Sequence, residues 1–288
     1  MPSMKLIKIL GHVAFAEYDK RIPHDWREPR LEPERSHFHN CLKPNERVGI
    51  PNMPIPFFKP DNMNKYHQDA CNMMGKQFKE FHDTMLDAII EAHDKWRMSA
   101  AFAGVQIQAV AAIGTPGCLT GPDLEPLIKN ASPCASMQGS MAAYRDAVAA
   151  GLGKAFGIWQ KGVAIPGLPW YPLFAASPSP VAPPTPNVPM PLITCPSPGM
   201  IGMCVPGVLQ NVMHLSLDRS VRDKDEDNKH KTLFAAIEAT INVGFTIWLA
   251  TQQVTNVMGT GPVPSWTPVS PVGPVVMGTT LPGTHLMA

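Results

Sequence analysis

The spacing of apolar residues changes several times along this chain. Between residues 64 and 97, Phe78, Phe81, Met85, Ile89, Ala92 and Trp96 recur at three- and four-residue intervals, opposite a charged stripe of Asp83, Asp87, Glu91 and Lys95. That period predicts an amphipathic helix with i,i+4 charge pairs on its polar side. Residues 99–113 (SAAFAGVQIQAVAAI) are small and apolar, and are expected to continue or restart the helix until Gly114-Thr115-Pro116-Gly117 ends it. A second helix is expected over 139–163, with Met141, Tyr144, Val148, Leu152, Ala155, Phe156 and Trp159 on one face and mostly Ala and Gly elsewhere. Glycine costs a helix interior about 1 kcal/mol relative to alanine, so several together imply that another backbone approaches closely. A third helix is expected over about 232–258. Residues 5–16 (KLIKILGHVAFA) read as a short strand or two, broken at Gly11.

Proline sets a different pattern. Residues 166–206 hold 13 prolines, which forbid a helix or a central strand and leave polyproline II or an edge-like strand. The stretch is apolar throughout, unlike a solvated linker, and reads as an ordered arm laid across neighbouring surface. Residues 24–35 (HDWREPRLEPER) read as a charged extended arm or a loop, and 262–288 as a second proline-rich tail. The expected fold class is therefore mainly α: three amphipathic small-residue helices, long proline-rich extended arms and a short N-terminal β element. The expected segments are 1–63 (charged, with short strands and an arm), 64–165 (helical core), 166–216 (proline-rich arm), 217–258 (charged loop and third helix) and 259–288 (uncharged tail).

Short echoes suggest repetition. Phe156-Gly157-Ile158-Trp159 matches Phe245-Thr246-Ile247-Trp248, and each is followed by a Gly/Pro break, a tryptophan (Trp170, Trp266) and an apolar proline arm. Trp96 sits where a degenerate third copy would place it. Pro51-Asn52-Met53-Pro54-Ile55-Pro56 echoes Pro186-Asn187-Val188-Pro189-Met190-Pro191. Such units, a helix plus an arm, would need neighbours to bury themselves.

Charge sharpens this picture. Only 16% of the 288 residues are Asp, Glu, Lys or Arg, against about 25% in an ordinary soluble domain. Residues 1–100 carry 29 of them, 101–288 only 18, and 239–288 none. A free monomer coats itself with charge; this chain has little for its second half. The net charge of +1 and the lack of a basic patch argue against nucleic acid as a partner. Two uncharged stretches, 98–122 and 239–258, approach the roughly 20 apolar residues of a membrane span, but polar or Gly/Pro positions interrupt both. No signal peptide is legible at the N-terminus. Six cysteines without a CxxC pair imply reduced thiols and cytoplasmic synthesis.

Candidate chemistry is sparse. In an extended segment His37, His39 and Cys41 would share a face, and His67 and Cys71 follow at i,i+4; together they offer nitrogen and sulfur for tetrahedral zinc, the one cofactor these residues suggest. Asp223, Asp225 and Asp227 alternate like a calcium loop, but Asn228 and Phe234 stand where glycine and glutamate are required, so the run reads as a solvated charge island. Asp83, Asp87, Glu91 and Asp94, with His82 and His93, read as a helix face. No nucleophile, P-loop or dinucleotide motif occurs, and no catalytic residue is assigned. Trp96, Phe156, Trp159, Trp170, Tyr171, Phe245, Trp248 and Trp266 are the candidate packing and interface anchors.

The stretch Gly162 to Leu192 (GVAIPGLPWYPLFAASPSPVAPPTPNVPMPL), with the two FxIW helices, resembles low-charge, Pro/Gly/Met-rich structural proteins of tailed phages and contractile injection systems, over about half of the chain. The resemblance implies a non-enzymatic particle component whose partners are copies of itself and other subunits. Two rival expectations are a membrane-active or pore-forming protein, from the uncharged helices, and a zinc-binding enzyme, from the His/Cys set.

Overall fold

The structure, a computed structural model, describes residues 4–19, 60–225 and 228–286, with side chains over 4–15, 76–225 and 228–286. Among the described residues it has eight α-helices and ten strands. The long helices are α2 (Pro60–Ser99), α4 (Gly139–Gly162) and α8 (Lys229–Thr251). They lie close to the helices expected from periodicity.

The mainly-α expectation is corrected: this is a mixed α/β chain built around a six-stranded antiparallel sheet. Residues 5–16 are not strands. From Leu6 onward they lie in helix α1 (Leu6–Asp19), which buries Ile7 and Gly11; Met4, just before it, is buried in the same i, i+3, i+7 series. Gly11 is a packing site rather than a break, because a Cβ there would collide with the Leu86 side chain of α2. Gly244 on α8 likewise leaves the space that Ile7 fills.

Residues 99–113 do not extend α2. They form β1 (Ala101–Phe102), β2 (Gln106–Gln108) and β3 (Ala111–Gly114). Gln106 and Gln108 face out while Ile107 is buried, a two-residue alternation. The β2–β3 turn holds Ala109 at φ +51°. The third helix stops at Thr251, seven residues before its expected end at Met258; Gln252 is extended, and β8 (Gln253–Val254) and β9 (Met258–Pro262) follow.

β4 (Leu119–Thr120) pairs with β1, and helix α3 (Leu124–Lys129) then packs beside α4. The proline arms fold onto this chain itself. β5 (Ile165–Pro169), β6 (Val181–Pro186) and β10 (Gly278–Thr280) complete the sheet in the order β5-β3-β2-β10-β9-β6. The strands from the 166–206 stretch, β5 and β6, take its outer positions, where a missing N–H breaks no ladder; β9, inside the sheet, carries a proline only at its last residue, Pro262. The residues just beyond them meet: Trp170 and Asn187 form an antiparallel bridge, and the Val188 N–H donates to the Pro169 carbonyl at 2.8 Å. The two edges are thus drawn together at one end, curling the sheet toward a barrel and sparing it long unpaired edges. The expected C-terminal tail, 259–288, supplies β10 and all but the first residue of β9, both interior strands.

Asn187 holds the seam. Its buried amide donates to the carbonyls of Val188 (2.7 Å) and Val254 (2.9 Å) and accepts the Val257 N–H (3.0 Å). Val254 lies in β8, which pairs with β7 (Met190–Pro191), so the same side chain ties the sheet to the end of α8. After β7, the short helices α5 (Met200–Cys204), α6 (Val208–Ser216) and α7 (Arg219–Arg222) lead back to α8.

Candidate interaction surface and histidine relay

Most of the expected tryptophan anchors lie inside the chain. Trp96 from α2, Phe156 and Trp159 from α4, and Phe245 and Trp248 from α8 form one buried aromatic cluster. The two FxIW turns face one another: Trp159 meets the Phe245 ring at 5.1 Å and Trp248 at 5.9 Å. Their i,i+3 spacing puts Phe and Trp on one helix face, so these side chains serve the fold's own core. Trp96 Nε1–H donates to Gln160 at 2.6 Å, and Gln160 donates to the Gly121 carbonyl at 3.2 Å. Trp170 is buried at the sheet seam, its Nε1–H on the Thr185 carbonyl at 3.1 Å. Tyr171 is exposed and Trp266 half-buried.

His93 sits within the aromatic cluster, edge-to-face with Trp248 at 4.5 Å and beside Trp96 at 5.7 Å. Neither of its ring nitrogens has a partner. Burial, with a smaller contribution from Arg97, pushes its pKa down to about 3. The helix-face expectation for His82 and His93 is corrected, since both are buried. Their carboxylate neighbours stay accessible in part: Asp87 pairs with Lys8 of α1 at 2.8 Å, and Glu91 accepts from Lys95 and from the Ser132 N–H.

Exposed apolar side chains are spread over several elements, among them Leu215 of α6 and Ile9 of α1, and one loop gathers three of them. The β9–β10 connection, residues 263–277, carries no charge and places Val269 95% exposed, with Val272 52% and Met277 65% exposed. It is nonetheless fixed. Ser177 and Gly273 pair backbone to backbone, and Trp266 Nε1–H donates to the Pro178 carbonyl at 3.1 Å. Thr267 and Ser270 close the tip with reciprocal backbone bonds of 3.2 and 3.1 Å.

A second apolar feature is a groove of about 420 Å³ between α5 and α8, lined by Cys204, Pro206, Ala239, Val243, Thr246 and Ile247. Glu238 also reaches it, but its buried carboxylate is taken up by the N–H groups of Gly207 (3.0 Å) and Leu209 (2.9 Å) at the start of α6. The groove therefore offers apolar wall rather than a free acid.

The charged island holds a relay that a purely solvated reading misses. Asp225 accepts from the backbone N–H of His230 at 2.8 Å and contacts its Nδ1 at 2.5 Å. His230 Nε2 lies 2.8 Å from His214 Nδ1. The rings are within 7° of parallel with centroids 5.0 Å apart, which fits an in-plane N–H···N bond. Burial works against charge on Asp225, but the backbone and ring N–H groups of His230 outweigh it and hold the carboxyl below its ordinary range. Asp225 and His230 are five apart within a dense charge run, and His214 lies on a different helix, so no spacing rule signals the set.

His37, His39 and Cys41 lie outside the described residues, as do the side chains of His67 and Cys71. Among the described residues no cluster of three His, Cys, Asp or Glu could hold a metal. Helix α8 is long and apolar enough to cross a membrane, but 72% of its most apolar window is buried inside the fold. No family model, curated protein or solved structure matches this chain.

Proposed function

We propose that the chain is a non-enzymatic structural subunit of a multi-subunit particle, meeting copies of itself or companion subunits through apolar surface. The observation that supports this reading most is the β9–β10 loop: charge-free, fixed at its base and tip, with Val269 95% exposed. A loop held by its own hydrogen bonds loses little conformational entropy on docking, and an exposed apolar patch marks an interaction site. The deciding experiment is light scattering of the full chain after size exclusion at neutral pH. Self-association is expected, and it should weaken in Val269→Asp/Val272→Asp while the melting temperature stays unchanged. A monodisperse wild-type monomer at high concentration refutes the self-assembly reading.

A further inference from the structure

The geometry points to a proton-sensitive latch: beside Asp225, the bond between His230 and His214 holds the C-terminal turn of helix α6 against the first turn of α8 while the two imidazoles share at most one extra proton, and it lets go when both are charged. This inference does not depend on the assembly reading.

The reasoning begins with proton counting. An ionised Asp225 accepts from His230 Nδ1–H, which leaves His230 Nε2 as an acceptor. His214 Nδ1–H then donates to it across 2.8 Å. One added proton is tolerated. His230 becomes the donor, and neutral His214 presents a bare Nδ1 and carries its own hydrogen on Nε2. A second proton leaves N–H facing N–H between two cations, and the bond is lost.

Three elements meet at this bond. His214 lies in the last turn of α6, His230 in the first turn of α8, and Asp225 in the loop between them. Asp225 also supplies the side-chain acceptor at the start of α8, whose own N-cap residue, Asn228, makes no side-chain cap. The surrounding charge opposes a second proton. Lys231 of α8 and Arg222 of α7 both bear on His214, which burial first, then Lys231, His230 and Arg222, hold below its ordinary range. From α4, Tyr144 senses Asp225. Asp225 is the one anion that the pair itself contacts among the described residues. Losing the bond therefore frees the C-terminal turn of α6 from the first turn of α8, while Asp225 stays bound to His230 and Gln210, earlier in α6, keeps its bond to the Lys231 carbonyl at 2.9 Å.

Amide hydrogen exchange of the full chain tests the latch, with protection corrected for intrinsic rates at about pH 7.5 and about pH 5. Residues 214–217 should lose roughly tenfold or more of their protection in acid while the interior of α4 changes much less. His214→Gln should keep these residues protected at both pH values, because its amide can present either N–H or C=O to His230. The ring resonances of His214 and His230 in the wild type supply a readout that needs no variant: two linked titration steps, the second coinciding with the loss of protection. Unchanged protection at 214–217, a loss that merely tracks α4, an equal acid response in His214→Gln, or independent titration of the two rings overturns the latch.

Discussion

His93 makes folding stability depend on pH in a way that can be isolated. Its imidazole is buried, touches Trp96, Phe156 and Trp248, and has no hydrogen-bond partner on either nitrogen. In the unfolded chain it takes up a proton near its ordinary value of 6.5, whereas in the fold burial delays protonation to about 3. A folded-state value below the unfolded one means that the unfolded state binds the extra proton between them. Stability is therefore fully present above about 6.5 and lost as pH falls toward about 3. The slope is about 1.4 kcal/mol per pH unit, and the whole window is worth about 5 kcal/mol. Urea unfolding should be compared between wild type and His93→Phe at several pH values, followed by circular dichroism at one protein concentration. Burial also lowers the pKa of His82 and His285, but both remain in the two proteins and cancel in the difference. That difference should widen in favour of the variant by about 2–3 kcal/mol between about pH 6.5 and about pH 4.5. At neutral pH the variant should already gain about 1 kcal/mol, because no unpaired imidazole N–H is left buried. Parallel stability curves would mean that His93 is hydrated or protonated in the fold, and the reasoning would fail.

Other expectations follow from packing and hydrogen bonding. Gly244→Ala should destabilise the chain by about 1–3 kcal/mol, because its Cβ would strike Ile7 of α1; denaturant unfolding of Ile7→Ala in the Gly244→Ala background should show partial relief. Asn187→Leu should cost about 3 kcal/mol or more in the same assay, since the Val254 and Val188 carbonyls and the Val257 N–H lose their partner at the sheet seam. Gln160→Leu leaves the Trp96 N–H buried and unpaired and should lower stability by about 1–3 kcal/mol, with a shift in tryptophan emission reporting the changed surroundings.

The legible parts of the fold are those where local pattern and final environment agree. Phe81, Met85, Ile89, Ala92 and Trp96 repeat at helical spacing and are all buried along α2. The FxIW turns likewise put Phe156, Trp159, Phe245 and Trp248 on inner helix faces. Misreading came where two periods fit the same residues. Residues 4–16 contain β-branched and aromatic side chains as well as a helical repeat at Met4, Ile7 and Gly11, and their contacts with α2 and α8 select the helix. In residues 99–113 alanine favours a helix, yet Ile107 gains a place in the sheet between β3 and β10. The histidine relay left no local trace, because its bond joins residues sixteen positions apart on different helices.

By itself, then, the sequence determined the three long helices, the edge placement of the proline strands β5 and β6, and the shortage of charge over the second half. Each follows from a property carried by residues close together: helical period, a missing N–H, or a missing side-chain charge. Only the tertiary structure decided that the proline arms return to their own chain, that Asn187 joins the sheet to the end of α8, and that the buried tryptophans form a core while Val269 stands exposed. Those outcomes depend on which distant backbone groups and apolar faces can be satisfied together, a condition that no short window of sequence contains.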